Sequence, residues 1–96
     1  MKKWELKEKR DSKDFNGRRQ VGSGNFWSRV GDVKSDQFLA ECKQTDKKSY
    51  SINLEKWKKI SDEALFSFRL PLMSVQIKDT ELVVLDKADF LNLIKK

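Results

Sequence analysis

The stretch QFLAECKQ, residues 37–44, decides the fold of this chain. Side chains alternate between the two faces of a strand, so Leu39, Glu41 and Lys43 share one face, while Phe38 and the residues between these three share the other. The first half of the stretch is therefore apolar on both faces, and the second half is ionic on one face. This change predicts a central strand that leaves the core and enters a polar site.

The residues before this strand predict one helix and two short strands. Residues 3–15 are highly charged and contain neither glycine nor proline, which favours a helix, although its few large apolar residues suggest that it is weakly anchored. The pair Asn16-Gly17 predicts a turn. Short strands are expected over residues 18–21 and 29–33, with residues 33–36 as the connection to the central strand.

The residues after this strand predict two helices and two strands. Apolar residues recur at helical spacing over residues 53–65, with Ser51 or Asn53 as the cap. Strands are expected over residues 71–77 and 81–85, and Asp86 is expected to cap a last short helix. The order α-β-β-β-α-β-β-α predicts an α/β (α+β) fold, in which helices flank one small mixed sheet in a single domain, residues 1–96.

Composition narrows the classes of function. The chain has 96 residues and a net charge of +6, from 21 basic and 15 acidic side chains, which favours polyanionic partners such as nucleic acid. The absence of histidine excludes histidine-based acid–base catalysis and the usual zinc sites. The single cysteine excludes an internal disulfide, and no apolar run approaches the ~20 residues that span a bilayer. We therefore expect a soluble, cytoplasmic protein without membrane contact.

Two short segments carry the candidate chemistry. Asp32 lies nine residues before Glu41, on the neighbouring predicted strand, and Lys43 shares a face with Glu41. Two carboxylates and an ammonium group at one sheet edge suit metal-assisted attack on a phosphodiester. Mg²⁺ prefers oxygen ligands, so Asp32, Glu41 and the backbone carbonyl of Cys42 are the candidate ligands. The alternative is an ordinary surface ion pair, worth about 0–1 kcal/mol.

This motif resembles the active-site motif of the PD-(D/E)xK nuclease superfamily, which has the restriction-endonuclease-like fold. The longer pattern is similar to small phage-encoded members that resemble Holliday junction resolvases. It runs in order through Glu8-Lys9-Arg10, Gly17-Arg18-Arg19, Gly22-Ser23-Gly24, Gly31-Asp32-Val33, Glu41-Cys42-Lys43-Gln44-Thr45, Lys48-Ser49-Tyr50-Ser51-Ile52 and Arg69-Leu70-Pro71-Leu72. The resemblance covers most of the chain, from about Glu8 to Ile77.

The resemblance implies a role for each matching position. Asp32 and Glu41 would bind the metal, assisted by the Cys42 carbonyl, and Lys43 would be the catalytic lysine. Glu8 would complete the acidic cluster, through a metal-bound water or a second ion. Glu5 and Asp11 lie on the same helical face and are rivals for that role. The candidate DNA contacts are Arg18, Arg19, Ser23, Gln44 and Lys48.

The implied function is a Mg²⁺-dependent endonuclease, with Mn²⁺ able to substitute, that resolves four-way DNA junctions. Symmetric cutting of a junction requires two active sites, so a homodimer is expected. The dimer surface is expected to include Leu82, Leu85, Phe90 and Ile94. Two alternatives stay open: a nuclease of the same superfamily that acts on nicked, linear or single-stranded DNA, and a basic DNA-binding protein without catalytic activity on the same scaffold.

Overall fold

The computed structural model describes residues 2–19 and 32–95, which form a small α+β domain. Within these residues the order of the elements is as predicted. The elements are α1 (Lys3–Asp14), β1 (Arg18–Arg19), β2 (Val33–Lys34), β3 (Phe38–Thr45), α2 (Leu54–Phe66), β4 (Leu70–Ile77), β5 (Thr80–Val84) and α3 (Lys87–Ile94).

The five strands form one mixed sheet in the order β1-β2-β3-β4-β5. Strands β3 and β4 are parallel, with Phe38 opposite Leu70 and Thr45 opposite Ile77, and the other three pairs are antiparallel. A parallel pair needs a crossover connection, and α2 supplies it. The sheet is therefore built around β3, the strand that the sequence identified as central.

Both faces of β3 are buried, each by a different helix. On the α2 face, Leu39 packs in a buried cluster with residues of α2 and β4: Ile60, Ala64, Met73 and Val75. On the opposite face, Ala40 and Cys42 pack with Val33 and Leu72, and Phe15 at the end of α1 covers them. This arrangement confirms that the first half of β3 is apolar on both faces.

Charged side chains attach α1 to the sheet. The side chain of Lys7 is completely buried, and its Nζ lies 3.1 Å from Asp11 Oδ2, 3.0 Å from Ser74 Oγ and 3.2 Å from Glu81 Oε1. Arg10 reaches the same Glu81 carboxylate at 3.3 Å. The helix is thus anchored by polar contacts to β4 and β5, where the sequence suggested weak anchoring from the shortage of apolar residues.

A glycine at the end of α1 lets the first strands meet. Asn16 adopts a left-handed conformation (φ 54°), and the Gly17 amide donates to Ser12 O at 2.7 Å, which terminates the helix. A Cβ atom at Gly17 would lie 2.8 Å from Val33 Cγ1 and 2.9 Å from Lys34 O. Only glycine allows β1 to approach β2 this closely, and the predicted turn at this pair is confirmed.

Some predicted boundaries were wrong. Lys34 is still in β2, and the turn to β3 is made by Ser35, whose Oγ accepts from the Phe38 amide at 3.0 Å. The α2 cap, in contrast, is confirmed as Asn53, one of the two predicted candidates, whose side chain accepts from the Lys56 amide at 2.8 Å. The remaining parts of the strands expected over residues 18–21 and 29–33 fall outside the described residues.

Helix α3 lies at the periphery of the domain. Asp86 caps it as predicted, with its carboxylate accepting from the Ala88 amide at 2.9 Å. None of its eight described residues is buried, although it carries Phe90 and Ile94. No helix in the described part of the chain has the length and apolar character needed to cross a membrane.

Candidate functional site

A cavity of about 300 Å³ lies beside the second half of β3. Glu8 from α1, Asp32 from the segment before β2 and Lys43 from β3 all contribute to its wall. The complete described lining is Trp4, Glu8, Asp32, Cys42, Lys43 and Gln44. The fold therefore brings together three of the four residues that the sequence nominated as catalytic.

Backbone pairing with β3 fixes the position of Asp32. Its amide donates to Ala40 O at 2.9 Å, and its Oδ2 accepts from the Cys42 amide at 2.9 Å. Hydrogen bonds to an ionised carboxylate are stronger than neutral ones. The side chain is buried, so the carboxylate is held against the strand that carries Glu41 and Lys43.

Glu8 is the α1 carboxylate that faces the cavity. It is buried, and its Oε1 accepts from Nε and Nη2 of Arg19, both at 3.3 Å. Of its two rivals, Glu5 accepts from the Lys2 amide at the start of the helix, and Asp11 is paired with Lys7. Arg19, nominated from the sequence as a DNA contact, here balances the charge of Glu8.

Glu41 and Lys43 form an ion pair on β3. Lys43 Nζ lies 3.5 Å from Glu41 Oε1, and both side chains are partly exposed. This proximity agrees with the predicted shared face, and it also matches the simpler alternative of a surface ion pair. Glu41 is not part of the described cavity lining, so Lys43 connects Glu41 to the cavity.

The side-chain oxygens that line the cavity can be compared with the ligands that the expected Mg²⁺ ion needs. Among residues 2–19 and 32–95, no three acidic or cysteine side chains come together as a metal-binding group. Glu8 and Asp32 nevertheless line one cavity, and Mg²⁺ is commonly held by one or two carboxylates while it keeps several waters. The oxygen donors of these two side chains are of the kind that Mg²⁺ prefers, and binding of the ion by them, by Glu41 or by the Cys42 carbonyl stays a prediction.

The Cys42 thiol lies on the inner side of the cavity wall. Burial raises the pKa of this thiol well above its usual range, and a hydrogen bond to Asp11 and the charges of Asp11 and Asp32 raise it further. The thiol is therefore protonated at neutral pH. A protonated, buried thiol is neither a nucleophile nor a metal ligand, so only the backbone carbonyl of Cys42 stays a candidate ligand.

The remaining nominated residues are dispersed. Gln44 lines the cavity and donates to Asp46 Oδ1 at 3.1 Å, whereas Arg18 lies on β1 at a different cavity. Lys48 is exposed after β3, and Ser23 lies outside the described residues. Sequence reasoning missed Trp4 as a lining residue, although its spacing of four from Glu8 places both on one helical face.

Comparisons of this chain with protein-family models, with curated proteins and with solved structures found no match.

Proposed function

We propose that this chain is a Mg²⁺-dependent endonuclease that hydrolyses DNA phosphodiester bonds. The observation that carries the proposal is the cavity in which Glu8, Asp32 and Lys43 converge from three different parts of the fold. Two carboxylates and a lysine around one cavity are suited to the hydrolysis of a phosphate ester. The restriction-endonuclease-like assignment, which rests on the motif resemblance, belongs to the same proposal.

Each side chain has a distinct part in the proposed reaction. Glu8 and Asp32 would hold the ion, and Asp32 is already oriented by the Cys42 amide. Bound Mg²⁺ supplies Lewis-acid activation of the phosphate and of a water nucleophile. Lys43 places positive charge where negative charge develops on the phosphate oxygens, and Glu41, at 3.5 Å, orients Lys43. The resemblance implies products with 5′-phosphate and 3′-hydroxyl ends.

The proposed substrate is a four-way DNA junction, cut by a homodimer. A net charge of +6 suits a polyanion, and a twofold dimer presents two active sites to a twofold substrate. Leu82, Phe90 and Ile94 of the expected dimer surface are exposed. Leu85 is different, because it packs against the core cluster on the α1 face, and we remove it from that surface.

Cleavage of labelled DNA tests the proposal. A four-way junction and a matched linear duplex are incubated with the protein in Mg²⁺, Mn²⁺ or EDTA. We expect either metal to support cutting, and Asp32→Asn and Lys43→Ala to abolish it. Asp62→Asn and Lys58→Ala make the same chemical changes at exposed positions of α2 and should cut normally.

The outcomes separate the proposal from its alternatives. Cutting of linear duplex as readily as junction would retain the nuclease and exclude the resolvase. Binding without cutting in either metal would exclude the nuclease and leave a DNA-binding protein on this scaffold. Cutting that survives in Asp32→Asn would show that the active site lies elsewhere.

A further inference from the structure

A second cavity, of about 390 Å³, lies at the opposite end of β3 from the candidate active site. Three cations from three segments line it: Arg18 of β1, Lys34 of β2 and Arg69, which precedes β4. Asn16, Ser35 and Asp36 complete the described lining of this cationic cavity. Its charge is positive, because three cationic side chains face one carboxylate.

The arrangement of these cations favours the binding of an anion, because Asp36 is the single carboxylate in the described lining of the cavity. Arg18 and Lys34 are direct partners across the antiparallel β1–β2 pair, so their side chains lie on one face. Like charges at directly opposed positions destabilise a sheet. Arg69 is held in place, because its Nε donates to Ser35 O and its Nη1 donates to Ser67 O at 2.8 Å. A phosphate group bound between these side chains would relieve their repulsion.

An apolar cavity of about 430 Å³ adjoins the cationic one and shares Asp36 and Arg69 with it. Leu65 and Phe68 are its apolar side chains at the end of α2, together with the partly buried Leu70. The Phe68 side chain is 96% exposed. An aromatic ring in solvent beside a cationic cavity forms a platform on which a base can stack.

Phe68 also has a backbone conformation that is unfavourable for an aromatic residue. Phe68 is left-handed, with φ 58°, and its amide donates to Leu65 O at 3.1 Å while the Arg69 amide donates to Ala64 O at 2.8 Å. These two bonds form a Schellman motif, whose left-handed position is usually glycine. The Phe68 ring is not buried, so packing does not compensate for the cost of this conformation. Binding of a ligand by the ring would explain it.

We propose that the cationic cavity and Phe68 together bind an unpaired segment of a nucleic-acid strand, with a phosphate between Arg18, Lys34 and Arg69 and a base on the Phe68 ring. The inference rests on the proposed function in taking this strand as part of the DNA substrate. Phe38, next to the cationic cavity, and Lys43, at the candidate active site, are separated by about 17 Å of strand. That length corresponds to roughly five stacked nucleotides, so one substrate can occupy both sites.

Binding of short labelled oligonucleotides in EDTA tests this proposal without any cleavage. The ligands are an oligothymidylate, the matching abasic oligomer and a duplex. Phe68→Ala should weaken oligothymidylate binding by about 5- to 100-fold and leave abasic binding unchanged, because alanine removes only the stacking. Leu54→Ala removes an exposed apolar side chain from the other end of α2 and should bind as the unmodified protein does.

The cations are tested by their effect on salt dependence. Replacing both Arg18 and Lys34 with glutamine should weaken binding to both single-stranded oligomers. It should also reduce the slope of log affinity against log salt by about 0.7, the value for one phosphate contact in a single strand. The variant with both Lys58→Gln and Lys59→Gln, at exposed positions of α2, is the control matched in charge.

The proposal is overturned if Phe68→Ala binds oligothymidylate normally, or if it weakens abasic and normal oligomers equally. It is also overturned if the duplex is bound more tightly than the oligothymidylate, or if Phe68→Ala changes only the oligomeric state in sedimentation. Asp32→Asn separates the two proposals, because it should retain oligonucleotide binding while losing cleavage. Binding without cleavage in any metal would refute the proposed function alone, and cleavage with normal Phe68→Ala binding would refute this inference alone.

Discussion

At the scale of single residues, Lys7 has the most demanding environment in the described structure. Its ammonium group is completely buried and is surrounded by Asp11, Ser74 and Glu81. Burial of a charge is costly unless the charge is paired and hydrogen-bonded, and here three oxygens provide that compensation. Removal of the lysine would leave the buried Asp11 carboxylate without its counter-charge.

We therefore expect Lys7→Ala to lower the free energy of unfolding by about 3–5 kcal/mol, the usual effect of breaking a buried pair on one side. Urea denaturation followed by tryptophan fluorescence measures this change. Lys9→Ala, on the exposed side of the same helix, should change stability by less than about 0.5 kcal/mol. Equal effects of the two variants would contradict the role of the buried ion pair.

Glu81 makes the stability that its ion pairs with Lys7 and Arg10 contribute depend on pH. Burial alone would raise its pKa, but hydrogen bonds from Lys7 and Arg10 and the charges of both outweigh burial and lower the pKa below its ordinary value of 4.5. The folded-state pKa is thus below the unfolded one. The stabilisation is fully present above pH 4.5 and is lost as pH falls through the folded-state pKa.

Glu81→Gln should consequently destabilise the protein near neutral pH, and the difference should shrink in acid below pH 4.5. The side chain is 42% exposed, so solvent screening limits the effect at neutral pH to about 1 kcal/mol. Urea midpoints across this pH range measure it, with Glu55→Gln as an exposed control. A difference that is constant with pH would rule out the ionic origin.

At the scale of elements, the end of α2 shows a conflict between stability and the proposed binding. Its Schellman motif places Phe68 where glycine is favoured. Phe68→Gly should therefore raise stability by about 1 kcal/mol, because a left-handed conformation costs a residue with a Cβ about 1–2 kcal/mol. Thermal unfolding should show a higher Tm, while oligothymidylate binding falls.

Phe66→Gly is the control, and it is expected to lower stability where Phe68→Gly raises it. Phe66 is the last residue of α2 and is also highly exposed, so glycine there removes little packing and lowers helix propensity, by about 1 kcal/mol at most. The two variants should move Tm in opposite directions. A loss of stability in both would mean that the Phe68 side chain supports the fold.

The sequence predicted the helices and strands better than the contacts that hold them together. Alternation along residues 37–44 and the helical spacing over residues 53–65 report local geometry, and both elements formed as expected. The anchoring of α1 depends on Ser74 and Glu81, which lie 67 and 74 positions from Lys7, and no local pattern reports such contacts. The cationic cavity was missed for the same reason, since Arg69 reaches it from beyond α2.

The candidate site was predictable only in part. The spacing of Asp32, Glu41 and Lys43 identified the polar end of β3, but it could not show that Glu41 lies outside the cavity lining. Glu5, Glu8 and Asp11 share a helical face, so spacing could not choose between them. The choice depends on how α1 packs against β3, and that packing places Glu8 in the cavity wall and Asp11 beside Lys7.

At the scale of the whole molecule, one group of exposed apolar residues lies on β5 and α3, outside the lining of the candidate active site. Strand β5 is an edge of the described sheet and carries the exposed Leu82 and Val83, and α3 adds Phe90 and Ile94. Edge strands and exposed apolar patches are sites of association. This group supports the proposed dimer, and none of its residues lines the candidate active site or the cationic cavity.

We expect sedimentation to show a dimer for the unmodified protein and a monomer for the variant with both Phe90→Glu and Ile94→Glu, because four buried carboxylates would oppose each other at a twofold interface. The monomer should still bind oligonucleotides but should nick junctions in one strand at a time. Leu54→Glu, at an exposed apolar position on α2, should remain dimeric. A monomeric unmodified protein would refute the dimer and, with it, the resolvase.

The contact between Lys7 and Glu81 also bears on how the chain matures during its synthesis. The two residues are 74 positions apart, so α1 leaves the ribosome long before its counter-charge on β5 is made. Until then the Lys7 ammonium has only Asp11 of its own helix as a counter-charge, which does not compensate fully for its burial. We therefore expect α1 to dock stably only after the β4–β5 hairpin has formed, because Ser74 and Glu81 lie on these two strands. A newly made chain should thus gain the stability of the Lys7 ion pair with β5 only after β5 has been made.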